Sequence, residues 1–200
     1  MEGPFLNPSK NGVHNANVFL QANTFEDLEK TYGAANITPD STGRPAPVKM
    51  ITAAPELGQM TKLISEFQDR GIVYSIGHSE ATFEEASAAV EAGATMITHL
   101  FNAMRPLHHR NPGIFGVLGS AGNIPRPFFG IIADGIHLHP TTVKIAWNSH
   151  PDGFILVTDA MHTVGLPDGR YQCTNGDEES FITKKGAVLH LEGSDTIAGR

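Results

Sequence analysis

Four side chains able to hold a metal ion or move a proton sit at the ends of apolar runs in this chain of 200 residues. They are Glu2 in Met1-Glu2-Gly3-Pro4-Phe5, His78 in Ser75-Ile76-Gly77-His78-Ser79, His99 in Ile97-Thr98-His99-Leu100, and Asp159 closing Phe154-Ile155-Leu156-Val157-Thr158. His78 and His99 are 21 residues apart. That is the length of one βα unit, so the two are expected on adjacent strands, facing one rim of a sheet. Glu2 would complete a Glu/His/His set, and three protein ligands with one open position describe a catalytic zinc site. Asp159 is then the candidate to take a proton from water activated there. Read one at a time, each residue has a plainer account. A histidine after a strand can be a surface or hydrogen-bonded structural residue, Glu2 a capping or surface acid, and Asp159 the N-cap of a following helix.

The elements that must position these groups follow from punctuation and periodicity. Asn23 or Thr24 can cap a helix through Phe25, Leu28 and Tyr32 that stops at Gly33, and residues 36–47, with three prolines and a glycine, read as a loop. Residues 48–52 then read as a short buried strand, 57–70 as a helix and 72–76 as a strand. Thr82-Phe83-Glu84-Glu85 is a capping box opening an alanine-rich helix that ends at Gly93. Strands are expected at 94–98, 128–133 and 154–158, with a helix at 141–149 and an irregular stretch rich in Pro and His after His99.

Short apolar strands alternating with helices specify parallel βα units, because a parallel neighbour needs a crossover connection. Counting a stub before Glu2, six strands are visible, compatible with a doubly wound sheet or with most of an eight-stranded barrel. Polar residues follow nearly every strand (Glu2, Glu56, His78, His99, Asp134 with His137, Asp159) and do not gather at one switch point. The favoured fold class is therefore α/β, an incomplete TIM-like (β/α)8 barrel over residues 1–168. Beyond Asp159 the pattern changes. Residues 169–173 and 187–191, separated by turn signals at 175–177 and 185–186, read as about two antiparallel strands, the start of a small β domain over 169–200 that returns towards the barrel.

Composition narrows the function classes. A hydrophobic fraction of 40% with 18% charged residues is that of a core-forming domain. A net charge of -7 and the lack of a basic run argue against a nucleic-acid surface. No stretch approaches the roughly 18 apolar residues of a membrane span, and the first residues lack the pattern of a secretory signal. The lone Cys173 has no intrachain partner, which fits a reducing compartment. The expectation is a cytoplasmic protein that binds neither nucleic acid nor membrane.

Five motifs in order carry a resemblance: Glu2-Gly3-Pro4-Phe5, Gly77-His78-Ser79, Thr98-His99-Leu100-Phe101-Asn102-Ala103-Met104, Ala133-Asp134-Gly135-Ile136-His137 and Val157-Thr158-Asp159-Ala160. Together they resemble the N-acetylglucosamine-6-phosphate deacetylases of the amidohydrolase superfamily, over almost the whole chain. The resemblance implies metal-dependent hydrolysis of N-acetyl-D-glucosamine 6-phosphate to D-glucosamine 6-phosphate and acetate, in amino-sugar catabolism or recycling. It implies Glu2, His78 and His99 as ligands of one divalent ion, Zn²⁺ by its ligand set. Asp159 would be the catalytic acid and base, and His14, beside Val13, a substrate contact that helps polarise the acetamide carbonyl. Without the resemblance His14 is equally a loop histidine.

The same resemblance gives Asn102, the Ala103 backbone and Arg110 to the phosphate, Arg110 in some members across a homodimer interface. His137 and the segment Ile197-Ala198-Gly199 would line the sugar site. His108, His109, His139, His150, His162 and His190 match no site residue and are left as surface or structural. Family members carry two barrel strands before the Glu-Gly-Pro-Phe motif and further chain beyond residue 200, so the expectation is a partial scaffold, poorly active alone. Two other readings stay open: an amidohydrolase acting on a different amide or cyclic ureide, and a non-catalytic fragment that binds a sugar phosphate.

Overall fold

Four strands of the chain end on the same beat: a polar residue stands two positions beyond the last residue of each. In the computed structural model, which describes residues 1–120, 124–175, 178–194 and 196–199, these are β2 (Val73–Ile76), β3 (Met96–Ile97), β4 (Phe128–Ile132) and β5 (Phe154–Val157), followed by His78, His99, Asp134 and Asp159. With β1 (Met50–Ala53) they form a five-stranded sheet in the order β1-β2-β3-β4-β5, every neighbour parallel. The order never reverses, so there is no switch point, and all five C-terminal ends face one edge. The expected stub before β1 is present as a bridge: Thr52 N–H donates to Met1 C=O at 2.8 Å, Gly3 N–H donates to Thr52 C=O at 3.1 Å, and Glu2 pairs with Thr52 in parallel.

Alternation along the strands separates two environments. Ile51, Tyr74, Ile76, Ile97, Phe129 and Ile131 point to the helices and are buried in one continuous core, each such side chain contributing about 1.5–3 kcal/mol of hydrophobic stabilisation. The opposite face carries Thr52, Ser75, Thr98 and Gly130 beside the larger Met50, Met96 and Phe128. Thr52 Oγ1 and Thr98 Oγ1 lie 2.8 Å apart, and Ser75 Oγ is 2.5 Å from Thr98 Oγ1, so a row of shared hydroxyl protons crosses three strands below the ends that carry the histidines. Gly77 packs against Thr52 and Thr98 of that row.

The helices close the outer face. Helix α1 (Phe25–Tyr32) opens on Thr24, whose hydroxyl and the Asp27 carboxylate cap each other's backbone N–H groups. It buries Phe25, Leu28 and Tyr32, with the Phe25 and Phe67 rings 5.4 Å apart edge to face. Residues placed in the loop after Gly33 begin instead with one more helical turn, α2 (Ala34–Ile37), which buries Ile37. Helix α3 (Met60–Asp69) buries Met60, Leu63, Ile64 and Phe67. Helix α4 (Phe83–Glu91) has the Thr82/Glu85 capping box read from the sequence, and α5 (Pro140–Ser149) leads to β5. The Pro- and His-rich stretch holds a 3-10 helix, Ile114–Gly119, with Ile114, Val117 and Leu118 buried. Strand β5 has β4 as its one neighbour among the described residues, and Leu156 on it is 68% exposed.

The expectation of about two antiparallel strands at the C-terminal end is corrected to four: β6 (Gly169–Asn175), β7 (Glu178–Lys185), β8 (Val188–Leu191) and β9 (Ile197–Gly199), in that order. Strand β7 lies between the two that were expected and pairs with both. The turn read at 175–177 falls partly on Gly176 and Asp177, outside the described residues. The inner face of this sheet, through Ile182, Leu189 and Ala198, packs on Val13 and Met161, which brings β9 to the edge of the parallel sheet where the polar residues stand.

Candidate metal centre and active site

Three ligand atoms meet at that edge. Glu2 Oε1 lies 3.1 Å from His78 Nε2 and 3.1 Å from His99 Nε2, and the two nitrogens are 3.1 Å from each other. Both histidines are buried, and the Glu2 side chain is 29% exposed. The backbone makes this convergence possible at a cost. His78 (φ 48°), His99 (φ 27°) and Asp159 (φ 47°) all have the positive φ that L-residues avoid. Such strain clusters at sites whose geometry the surrounding fold dictates. Phe101 and Ala103 share it, curling the segment after His99 so that Asn102 N–H donates back to His99 C=O at 2.9 Å.

The triangle fits a metal ion. Tetrahedral zinc with bonds of about 2.0–2.1 Å needs ligand atoms roughly 3.3 Å apart, close to the separations seen. The second ring nitrogen of His78 is committed: Nδ1–H donates to Lys10 C=O at 2.7 Å, which leaves Nε2 as a lone pair facing the carboxylate in the neutral ring. Lone pairs converging on one point need a cation, whether proton or metal, to bind them. Burial opposes charge on Glu2, yet the hydrogen bonds of His78 and His99, and the positive charge of these rings when protonated, outweigh it and hold the carboxyl well below the usual range. Burial likewise works against a proton on His99, but the hydrogen bond and charge of Glu2 prevail and raise its pKa. This is the one group of three or more metal-binding side chains among the described residues.

The other groups surround a cavity of about 540 Å³. Its wall includes all three ligands with Val13, His14, Asn102, Ala103, His137, Asp159, Ile197, Ala198 and Gly199. Every site residue expected from the sequence is therefore gathered here except Arg110, which is exposed and off the wall, its guanidinium 2.8 Å from His109 Nε2. The His14 ring stands edge-on to His78 at 4.9 Å, and burial first, then the charge of His78, lowers its pKa, which favours the neutral ring. His137 Nδ1–H donates to Asp134 Oδ2 at 2.8 Å, while Asp134 Oδ1 accepts from the N–H groups of Ile136 and His137. The imidazole is thereby locked with Nε2 free. Asp159 is exposed on the cavity wall, and its negative charge is felt by both His99 and His14. Gly12, Ala160, Met161 and Thr196 complete the wall.

An acid, two buried imidazoles and a free carboxylate around a sugar-sized cavity can bind a divalent ion, acidify water and shuttle a proton. Known proteins resemble this chain along its whole length. It is 42% identical over 203 residues to the N-acetylglucosamine-6-phosphate deacetylase of Danio rerio and 42% identical over 204 residues to that of Homo sapiens, covering 47% and 46% of those proteins. A Mycobacterium smegmatis N-acetyl-D-glucosamine-6-phosphate deacetylase variant, solved in complex with N-acetyl-D-glucosamine 6-phosphate, matches with a TM-score of 0.82 at 31% identity over 99% of this chain and 48% of that one. The Thermotoga maritima enzyme matches with a TM-score of 0.77 at 32% identity. No protein-family model matches. The chain spans about half the length of the relatives it matches.

Proposed function

We propose that this chain carries the metal centre and proton-transfer machinery of an N-acetylglucosamine-6-phosphate deacetylase, which releases acetate from N-acetyl-D-glucosamine 6-phosphate and leaves D-glucosamine 6-phosphate. The observation that carries the proposal is the Glu2/His78/His99 triangle with Asp159 in the same cavity. Relatives named for that activity, alike from end to end of the chain, support it. The parallel sheet in unbroken order supports a (β/α)8 barrel spanning residues 1–168, with residues 169–200 as part of a small β domain.

Glu2, His78 and His99 would hold one Zn²⁺. A divalent ion supplies the charge that acidifies water and polarises an amide carbonyl. The chain's own groups do the rest. Asp159 accepts the proton of the attacking water and passes it to the departing nitrogen, since an amine anion is too poor a leaving group to depart unprotonated. His14, neutral and beside His78, donates a hydrogen bond to the oxygen on which negative charge develops. His137 Nε2, its partner nitrogen fixed by Asp134, meets a sugar hydroxyl, while Val13 and Ile197-Ala198-Gly199 wall the sugar. Asn102 and the Ala103 N–H face the phosphate. Arg110, exposed and away from the cavity, suits a phosphate contact made to a second copy of the chain in a homodimer. With a net charge of -7 and a single unpaired cysteine, we assign a cytoplasmic protein with no nucleic-acid partner. Among the described residues no helix is long and apolar enough to cross a membrane.

The test is acetate release by the zinc-loaded chain from N-acetylglucosamine 6-phosphate, compared with N-acetylglucosamine. Zinc-dependent release that requires the phosphate, however slow, is the expected result. Equal release from the unphosphorylated sugar would favour another amidohydrolase, and tight phosphosugar binding without release a non-catalytic binder.

A further inference from the structure

Glu56 is the one polar residue after a strand that the proposed chemistry leaves unused. It follows β1 and sits beside the site, not in it: the cavity wall does not include it. Its carboxylate nevertheless joins segments that lie far apart in sequence. Oε1 accepts from Asn7 Nδ2 at 2.9 Å and from Glu80 N–H at 2.7 Å, and Oε2 accepts from Ser79 Oγ at 2.7 Å. Asn7 belongs to the loop that follows Glu2; Ser79 and Glu80 follow His78.

We propose that Glu56 is a positioning residue that sets the three metal-ligand loops in mutual register, an inference that rests on the metal-centre reading. Each arm reaches a loop that carries a ligand. Asn7 N–H donates to His78 C=O at 2.9 Å, and Asn7 C=O accepts from Lys10 N–H at 2.8 Å. Lys10 C=O is in turn the acceptor that orients His78 through Nδ1. Ser79 N–H donates to Ala103 C=O at 3.2 Å, and Ser79 C=O accepts from Arg105 N–H at 3.1 Å, which ties the loop after His99 to the same anchor. Phe5 C=O accepts from Ala54 N–H at 2.9 Å, so the loop after Glu2 is held to β1 as well. One carboxylate therefore fixes the loops behind Glu2, His78 and His99, each one or two hydrogen bonds away. Because His78 and His99 are held in strained backbone, the ligand atoms keep their spacing only while such outer contacts hold.

The experiment measures Co²⁺ and Zn²⁺ affinity of the full chain, with the visible Co²⁺ spectrum as the reporter of ligand geometry. The variants are Glu56→Ala, Glu56→Gln, Ser79→Ala and, as a stability control, Ile64→Val in the core of α3. Glu56→Ala should weaken Co²⁺ and Zn²⁺ by roughly 10- to 100-fold and shift the Co²⁺ bands. Glu56→Gln should recover part of that loss, since its amide oxygen can still accept from Asn7 and Glu80. Ile64→Val should lower the melting temperature of the metal-free chain and leave affinity and spectrum unchanged. Folded Glu56→Ala with wild-type affinity and spectrum would overturn the inference, and so would an equal loss in Ile64→Val. If Glu56→Ala does not fold, Ser79→Ala and Glu56→Gln decide, each expected to weaken binding and each refuting the inference by leaving it unchanged. Failure of the unaltered chain to bind either ion overturns the metal-centre reading and this inference with it; failure confined to the variants' predicted losses overturns the inference alone.

Discussion

Adding one methyl group at Gly77 tests how tightly the site's foundation is packed. A Cβ there would lie 2.6 Å from Thr52 Cγ2 and 2.9 Å from Thr98 Cβ, where carbon atoms prefer about 3.5–4.0 Å. Both threonines are held by shared hydroxyl hydrogen bonds in the row with Ser75, so neither can turn aside without breaking one. Overpacking of this kind costs about 1–3 kcal/mol. Gly77 is not in the left-handed region, so alanine also gains about 0.4–1 kcal/mol by restricting the unfolded chain. The net loss for Gly77→Ala is about 1–2 kcal/mol, or roughly 2–8 °C in melting temperature for a chain of this size. Since His78 is the next residue, zinc affinity should fall too. Adding Thr52→Ser removes the nearer methyl but keeps the hydroxyl; in the double variant part of the stability should return, with the Thr98 contact remaining. Calorimetric melts of wild type, Gly77→Ala, Thr52→Ser and the double variant supply the comparison. A melting temperature for Gly77→Ala equal to or above wild type, or a double variant with no recovery, would refute this account of the packing.

Asp159→Asn should keep zinc affinity while acetate release falls by about 10²- to 10⁴-fold; unchanged turnover would remove Asp159 from the chemistry. Tyr32→Phe deletes the buried donor to Gly3 C=O, 2.9 Å away, and should cost about 1–2 kcal/mol in urea denaturation, with weaker zinc binding because Gly3 follows Glu2. Asp134 carries a pH signature. Burial opposes its charge, but the N–H groups of His137 and Ile136 and the His137 ring outweigh it and lower its pKa from 3.8. The stabilisation is complete above that unfolded value and lost as pH falls through the lower folded one. Metal-free denaturation midpoints of wild type and Asp134→Asn should therefore converge as the pH drops below about 4, and a constant gap would contradict the assignment.

Much of this was readable in the sequence, for local reasons. The capping box at Thr82 and the apolar runs of β1 to β5 announce themselves within a few residues, Thr24 was one of two candidate caps for α1, and the strand-end positions of His78, His99 and Asp159 follow from those runs. Strand β7 stayed hidden because charged residues flank it and its buried Ile182 sits beside a single other large apolar residue, Phe181. The Ile114–Gly119 helix lies among prolines and glycines that signal irregular chain. The left-handed backbone of His78, His99 and Asp159 is imposed by tertiary contacts, and L-residues do not advertise it. Glu56 was visible as a polar residue after a strand, but its partners Asn7 and Ser79 are brought to it by the fold. Arg110, expected at the phosphate, lies off this chain's own cavity, and no local pattern could have shown that.

The account stands most directly on the three atoms that meet at the sheet's edge. X-ray absorption at the zinc edge of the stoichiometrically loaded chain should give one ion per chain, bound by two imidazole nitrogens and by oxygen at about 2.0–2.2 Å. The imidazole signal should be lost together with tight binding when His78 and His99 are both replaced by alanine. A sulfur ligand from Cys173, a shell without imidazole, or tight binding that survives the double replacement would contradict it.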